Sequence, residues 1–197
     1  MKVSMLFASD NWHALYILTI ATMTIERITS STPQWAAVRK LYESVYPEGT
    51  RLDYEKLLGV IRRDDVDFLT FYDHAQLIGF SFAIRHKDVA WLYYFALNRE
   101  VRTLGYEGIM LSKIEQQYAN HRLVVNLEQA LPPADSDEER VHRHNSFLKA
   151  GFRDTSALRK AGGRWFRIML LGKGDITNED YDRLLEIDSE WWSKTLC

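Results

Sequence analysis

The 197-residue chain has one cysteine, Cys197, so it cannot form an intrachain disulfide bond. This scarcity is consistent with a reducing, cytoplasmic environment. The formal net charge is only −2 and no block of lysine and arginine stands out, which gives no electrostatic reason to expect nucleic acid. The apolar stretch 13–23 is far shorter than the ~20 residues that a membrane-spanning helix needs. We therefore expect neither nucleic acid nor a membrane as a partner.

The composition is that of a folded domain. Apolar residues make up 46% of the chain and aromatic residues 13%, which is enough to fill one core. There is no internal repeat and no low-complexity segment.

The N-terminal residues need a separate interpretation. Lys2 followed by an apolar stretch resembles a signal peptide, but Asp10, Asn11 and His13 interrupt the pattern. The sequence favours an upstream extension over a targeting segment. We predict that residues 1–22 are a dispensable extension, that 23–174 form the domain, and that 175–197 form a C-terminal helix packed on it.

The remaining chain alternates between strand and helix signals. A strand is followed by two helices, a three-stranded antiparallel meander, a helix, a strand, a helix, a hairpin and a last helix. The strand–helix–strand unit after the meander implies a right-handed parallel crossover. The fold class is therefore α+β, with a mixed, mostly antiparallel sheet flanked by helices. Strands are predicted at 24–28, 66–72, 77–84, 89–97, 122–127, 152–158 and 165–171.

The segment 97–108 is the most informative part of the chain. A predicted strand runs into a basic, glycine-containing turn, and a predicted helix begins at Gly105. Free main-chain N–H groups converge at a helix start, and the helix dipole adds partial positive charge. The segment therefore predicts a site for a phosphate-bearing cofactor.

Two local motifs and the order of elements resemble the GCN5-related N-acetyltransferase (GNAT) family over about residues 24–171. The family's cofactor motif, Arg/Gln-x-x-Gly-x-Gly/Ala, is matched by Arg102-Thr103-Leu104-Gly105-Tyr106-Glu107. A second motif, which ends a late helix, is matched by Asn145-Ser146-Phe147-Leu148-Lys149-Ala150-Gly151-Phe152. The segment 92–96 and the C-terminal residues 172–192 resemble those of a poorly characterised bacterial subgroup of the family.

The resemblance implies acetyl-coenzyme A as cofactor, an amine acceptor, and a sheet whose fourth and fifth strands splay apart. It implies that the strand end binds the pantetheine arm through its main chain and that the turn holds the pyrophosphate. A homodimer is a further expectation. The implied cofactor-binding residues are Phe95, Ala96, Leu97, Arg102, Thr103, Leu104, Gly105, Tyr106, Glu107, Gly108, Asn145 and Phe147.

The chain departs from the family pattern at two important positions. Glu107 stands where the family has glycine or alanine, and its carboxylate would repel a pyrophosphate unless it points away. Phe147 stands where many members have a tyrosine that protonates the leaving thiolate, and phenylalanine has no hydroxyl.

Two residues are the candidates for acid–base chemistry. Glu128 follows the fifth strand, where it can accept the amine proton; the alternative is a solvated carboxylate at a strand end. Tyr94 is a hydroxyl donor near the expected cleft, and strict alternation sends Tyr93 to the opposite face. Tyr106, a third hydroxyl donor, is expected to pack over the cofactor. For each of the three tyrosines, a packing role is the alternative to a catalytic one.

The sequence leaves three functions open. The first is an enzyme that moves an acetyl group to a primary amine of a small molecule or peptide. The second is a catalytically weak acyl-coenzyme A-binding module, and the third is an interaction domain on the same fold. The loops at 46–53 and 129–137 are expected to select the acceptor. His142 and His144 are two residues apart on a helix and cannot share a metal ion.

Overall fold

The computed structural model describes residues 22–29, 33–46, 48, 51–128, 137–161 and 163–194, with the main chain alone at 102–104, 137, 161 and 187–194. The described strands are β1 (Met23–Arg27), β2 (Val66–Asp73), β3 (Gln76–His86), β4 (Val89–Leu97), β5 (Arg122–Glu128), β6 (Arg153–Ala161) and β7 (Arg164–Leu171). The described helices are α1 (Trp35–Val45), α2 (Tyr54–Val60), α3 (Tyr106–Gln117), α4 (Asp137–Lys149) and α5 (Asn178–Lys194), and a 3₁₀ helix at Arg99–Leu104.

The seven strands form one sheet in the order β1-β2-β3-β4-β5-β7-β6. Every neighbouring pair is antiparallel except β4 and β5, which are parallel. That parallel pairing covers only Val89–Leu92 of β4 and the first four residues of β5. The predicted α+β class, the mixed sheet and the splayed fourth and fifth strands are therefore confirmed.

Local sequence signals explain where two of the helices begin. The Asp53 side chain caps α2 by accepting a hydrogen bond from the Glu55 N–H at 2.9 Å. Thr177 and Asp180 cap α5 reciprocally: the Asp180 N–H donates to Thr177 Oγ1 at 3.1 Å, and the Thr177 N–H donates to Asp180 Oδ2 at 3.2 Å. The capping box predicted for the last helix is present.

The sheet buries a separate apolar cluster on each face. The first, called here the α1 face, includes Val38 and Leu41 of α1, Leu57 of α2 and Leu184 of α5. The second, called here the α3 face, is covered by α3 and α4 through residues such as Met110. Helices therefore cover both faces of the sheet.

A bulge in β4 overturns the prediction that Tyr93 and Tyr94 point to opposite faces. Phe82 of β3 is opposite Tyr94, but the next residue, Ala83, is opposite Leu92, so Tyr93 has no direct partner. The extra residue breaks the two-residue period. Both tyrosines consequently pack on the α1 face, with ring centroids 4.8 Å apart.

The two ends of the chain relate differently to the predicted boundaries. β1 begins at Met23, which is buried, whereas residues 1–21 lie outside the described part, so the dispensability of 1–22 stays a prediction. Tyr181 and Leu184 of α5 are buried in the α1-face cluster, so this helix packs on the domain. Within the described residues, no helix combines the length and apolarity that crossing a bilayer requires.

The end of the sheet away from the splay contains a buried ionic cluster. Asp67, which is 7% exposed, accepts hydrogen bonds from Arg85 Nε at 2.8 Å and Tyr118 Oη at 3.0 Å, and lies 3.3 Å from Arg27 Nη2. Removing the carboxylate leaves these donors without their acceptor, and that loss costs more than the ion pair itself contributes.

We predict that Asp67→Ala lowers the free energy of unfolding by about 2–4 kcal/mol, since both arginines are partly exposed and screened. Thermal unfolding should show a fall in Tm of roughly 5–10 °C. The matched control is Asp65→Ala, which breaks a surface ion pair worth less than about 1 kcal/mol. Equal losses in the two variants would contradict a special role for the buried cluster.

Candidate functional site

The splay between β4 and β5 opens into a cleft of about 580 Å³. It begins where the parallel pairing ends, after Leu92 and Val125. The cleft is lined by the two diverging strands, the end of α1, α4, the β6–β7 pair and α5. The lining side chains used below are Tyr46, Trp91, Tyr93, Tyr94, Phe95, Asn126, Glu128, Arg143, Phe147, Arg159, Lys160, Arg164 and Tyr181.

The main chain of Phe95 is bonded by a side chain instead of a strand. The Phe95 N–H donates to Tyr46 Oη at 3.0 Å, and Tyr46 Oη donates back to the Phe95 carbonyl at 3.0 Å. Phe95 lies three residues beyond the last β4 residue that pairs with β5. The hydroxyl therefore takes the position that a neighbouring strand, or an extended amide chain, would occupy.

Sequence reasoning did not identify Tyr46, because it directly follows α1 and is 49 residues from Phe95. Only the packing of α1 against the sheet brings the two together. Burial raises the pKa of the Tyr46 phenol, although the hydrogen bond to the Phe95 carbonyl and the charge of Arg143 act in the opposite direction. Tyr46 is therefore a protonated hydroxyl at the point of the splay.

Tyr94, the predicted hydroxyl donor, is buried beside Tyr46 with ring centroids 4.6 Å apart. Its Oη accepts a hydrogen bond from the Leu52 N–H at 3.1 Å. The hydroxyl thus anchors the segment before α2, and the role of Tyr94 in proton transfer stays a prediction.

Glu128, the predicted base, ends β5 on the opposite wall of the cleft. Arg140 Nη2 donates to one carboxylate oxygen at 3.1 Å, and Arg164 Nη1 donates to the other at 3.4 Å. The side chain is 26% exposed, so water can still reach it. Proton acceptance by Glu128 must use a remaining lone pair, directly or through water.

The predicted cofactor turn contains a 3₁₀ helix that sequence reasoning did not foresee. The Asn98 side chain caps it by accepting a hydrogen bond from the Glu100 N–H at 3.1 Å. Gly105 follows with a positive φ of 75°, and α3 begins at Tyr106. A Cβ added at Gly105 would have no atom within 4 Å. The helix start is therefore open on the side of the glycine, with Gly108 exposed one turn later.

Two side chains at the helix start point away from that open side. Tyr106 is buried on the α3 face, where its hydroxyl donates to Asp73. The first residue of α3 thus faces the sheet, and the packing of the Tyr106 ring over a cofactor stays a prediction. Burial, reinforced by Asp73, raises the pKa of Tyr106 to about 12.

Glu107 is directed toward α4, where it accepts a hydrogen bond from Ser146 Oγ at 2.9 Å. Glu107, one of the two departures from the family motifs, is thus paired with Ser146 of the second motif. This contact directs the Glu107 carboxylate away from the turn. That direction is required if an anion is to bind there. Beside it, a groove of about 370 Å³ lies between α3 and α4 and is lined in part by Gly108, Ser112 and Lys149.

Phe147 and Asn145 occupy different environments on α4. Phe147 is buried, and its ring centroid lies 5.7 Å from that of Phe95. Phe147 therefore lines the cleft from the α3 face, opposite the side from which Tyr46 enters. Asn145 is exposed. Ala96 and Leu97 follow Phe95 on opposite faces of the sheet.

Among the described residues, no group of three or more His, Cys, Asp and Glu side chains is placed to hold a metal ion. His144 instead contacts Asp154 at 2.9 Å.

The sequence has no match among protein-family models and none among curated proteins. Solved structures do match its fold. A protein described as a GNAT-family acetyltransferase from Bacteroides thetaiotaomicron aligns with a TM-score of 0.68 at 20% identity, over 82% of this chain and 93% of that one.

An aminoglycoside 6'-N-acetyltransferase complexed with coenzyme A gives a TM-score of 0.60 at 13% identity, over 77% of this chain and 99% of that one. A Bacillus subtilis acetyltransferase in complex with coenzyme A gives 0.53 at 12% identity, with the same two coverages. Identities this low establish architecture alone. The chain has the fold of the GCN5-related N-acetyltransferases.

Proposed function

We propose that the protein is an N-acetyltransferase that moves an acetyl group from acetyl-coenzyme A to a primary amine. The observation that carries the proposal is the main chain of Phe95, which lies in the splay and bonds the Tyr46 hydroxyl through both of its polar groups. An extended chain containing amides can replace that hydroxyl and satisfy the same two groups.

The residues present fit this cofactor at three places. Phe95, Ala96 and Leu97 form the end of β4 beyond its pairing with β5, along which the pantetheine arm can bind. The open turn around Gly105 offers main-chain N–H groups and the start of α3 for the phosphates. The groove between α3 and α4 extends from that turn and can receive the nucleotide end.

When bound, acetyl-coenzyme A supplies an activated acetyl group as a thioester. The transfer forms a carbon–nitrogen bond and breaks the carbon–sulfur bond, and the proton lost by the amine balances the proton gained by the thiolate. Glu128 is placed to accept the first proton on the β5 wall.

Tyr46 is the residue we assign to the second proton. Phe147 leaves the usual position without a hydroxyl, and Tyr46 brings one to the same splay from the α1 face. The phenol is protonated at neutral pH, as a general acid requires, and its raised pKa makes it a weaker proton donor than a free tyrosine.

Calorimetric titration with acetyl-coenzyme A, followed by a thiol-release assay on a panel of amines, tests the function. We expect a heat of binding and amine-dependent release of thiol. Binding without release from any amine would favour the alternative, a catalytically weak acyl-coenzyme A-binding module. The absence of binding would favour an interaction domain.

Glu128→Gln tests the base. If Glu128 removes the amine proton, turnover should fall about tenfold or more, and most severely at low pH, where little free amine exists. The control is Arg140→Gln, which removes one of the two arginine contacts but keeps the carboxylate. A loss of equal size at every pH in both variants would mean that Glu128 only holds the arginines.

A further inference from the structure

We propose that the amine acceptor also carries an oxyanion, a carboxylate or a phosphate, which binds on the α1 face of the cleft between Trp91 and Arg159. This inference rests on the proposed function and names the class of its acceptor.

The charge of the cleft differs from that of the chain. The whole sequence has a formal net charge of −2, but the cleft is lined by four cations and a single carboxylate, Glu128. A concave wall with this excess of positive charge attracts anions and repels polyamines. The four cations are Arg143, Arg159, Lys160 and Arg164.

Two of these four cations pair with exposed counter-ions. Arg159 pairs with Asp182 at 3.0 Å, but the Asp182 side chain is 59% exposed. Arg143 lies 3.7 Å from Glu139, whose side chain is 57% exposed. Exposed pairs of this kind contribute about 0–1 kcal/mol, so an incoming anion can compete for the guanidinium groups.

Two buried donors in the same wall have no acceptor. Trp91 is 3% exposed, and its Nε1–H has no hydrogen-bond partner among the described residues. The Nε–H of Arg159 is likewise buried and without a described acceptor. Leaving a buried donor unpaired costs about 1–3 kcal/mol, so both donors favour a ligand that brings an acceptor.

The residues that carry the two donors both lie beside one ring, that of Tyr181. The Tyr181 ring centroid is 6.0 Å from that of Trp91 and 5.3 Å from Arg159 Cζ. The Tyr181 hydroxyl is fixed by a hydrogen bond from the Asn126 side chain. α5 therefore closes this end of the cleft and sets the spacing of the donors.

The location is correct for an acceptor and not for the coenzyme phosphates. Trp91 and Tyr181 belong to the α1-face cluster, whereas the turn at Gly105 leads into α3 on the other face. An amine anchored at Trp91 and Arg159 therefore approaches the splay from the side opposite the phosphate site. Glu128 lies on the wall of the same cleft.

The test compares amines with and without an anionic group, using thiol release with acetyl-coenzyme A. The pairs are γ-aminobutyrate against its amide and phosphoethanolamine against ethanolamine, and putrescine is the cationic reference. We expect kcat/KM to be at least about tenfold higher for an anionic member of a pair, since a charge-assisted hydrogen bond contributes about 1.5–3 kcal/mol. The pair with the larger ratio identifies carboxylate or phosphate.

Variants locate the effect. Arg159→Gln and Trp91→Phe should each raise KM for the anionic amine, leaving KM for acetyl-coenzyme A and for the neutral amine unchanged. Arg183→Gln, which removes an exposed arginine of α5 that pairs with Glu179, should change none of these values. Trp91→Phe keeps a ring in the core, so the test survives if Arg159→Gln does not fold.

Neutral or cationic amines that equal or exceed their anionic partners would overturn the inference. If no amine releases thiol, the same anionic and neutral amines are titrated calorimetrically into protein saturated with acetyl-coenzyme A. Selective binding of the anionic member would support the inference, and equal or absent binding would overturn it. Failure of the proposed function is a separate result, because it is read from the absence of thiol release with every amine or from the absence of any heat with acetyl-coenzyme A.

Discussion

Gly105→Val should weaken acetyl-coenzyme A binding by about a hundredfold or more while the protein stays folded. The valine side chain would project into the open side of the turn, where a Cβ has no neighbour within 4 Å and where the phosphates are proposed to bind. Losing two charge-assisted hydrogen bonds is sufficient for this effect. Calorimetric titration of the purified variant measures it.

Backbone strain must be separated from this steric effect, because Gly105 has a φ of 75° that valine tolerates poorly. Gly174→Val is the matched control: Gly174 has a φ of 78°, also has no atom near an added Cβ, and lies between β7 and α5. Both variants should lose a similar stability of about 1–2 kcal/mol. Normal affinity in a folded Gly105→Val protein would rule out this turn as the phosphate site.

Tyr46→Phe should lower turnover about a hundredfold, provided that the hydroxyl protonates the leaving thiolate. The same variant should not lose affinity for acetyl-coenzyme A. Removing the hydroxyl frees the Phe95 N–H and carbonyl, so acetyl-coenzyme A affinity should be unchanged or higher. Pre-steady-state thiol release measures the first quantity, and calorimetry the second.

The pH dependence gives an independent readout. Burial disfavours the phenolate of Tyr46 and raises its pKa, so the acid form persists to higher pH than in a free tyrosine. We expect wild-type turnover to show no loss from this group below about pH 10, the ordinary tyrosine value.

Tyr42→Phe is the control for packing. Tyr42 Oη donates to the Leu52 carbonyl at 3.1 Å, so this variant also loses a hydroxyl–main-chain bond, but one that does not touch Phe95. Tyr94→Phe tests the earlier candidate in parallel. If Tyr42→Phe lowers turnover as much as Tyr46→Phe, or if Tyr94→Phe alone lowers it, Tyr46 is not the acid.

Some expected features failed for identifiable reasons. Alternation predicts opposite faces for Tyr93 and Tyr94, but a bulge adds one residue and puts both on the α1 face. The turn before Gly105 is wound into a 3₁₀ helix that no periodic pattern marks. The sequence places the Glu107 carboxylate beside the predicted phosphate site, where it would repel an anion. Its contact with Ser146 directs it away from that site. The bulge and the Glu107–Ser146 contact each depend on a neighbour that is distant in the chain.

The sequence by itself determined the order of strands and helices, the mixed sheet and the position of the turn at Gly105. These features follow from hydrophobic periodicity, capping residues and glycine, which act over a few neighbouring residues. Only the tertiary structure decided which side chains meet in the cleft. Tyr46 contacts Phe95, and Trp91 and Arg159 both lie beside Tyr181. These contacts form because helices α1 and α5 pack on one face of the sheet and bring together residues that are far apart in the sequence, which a local pattern cannot relate.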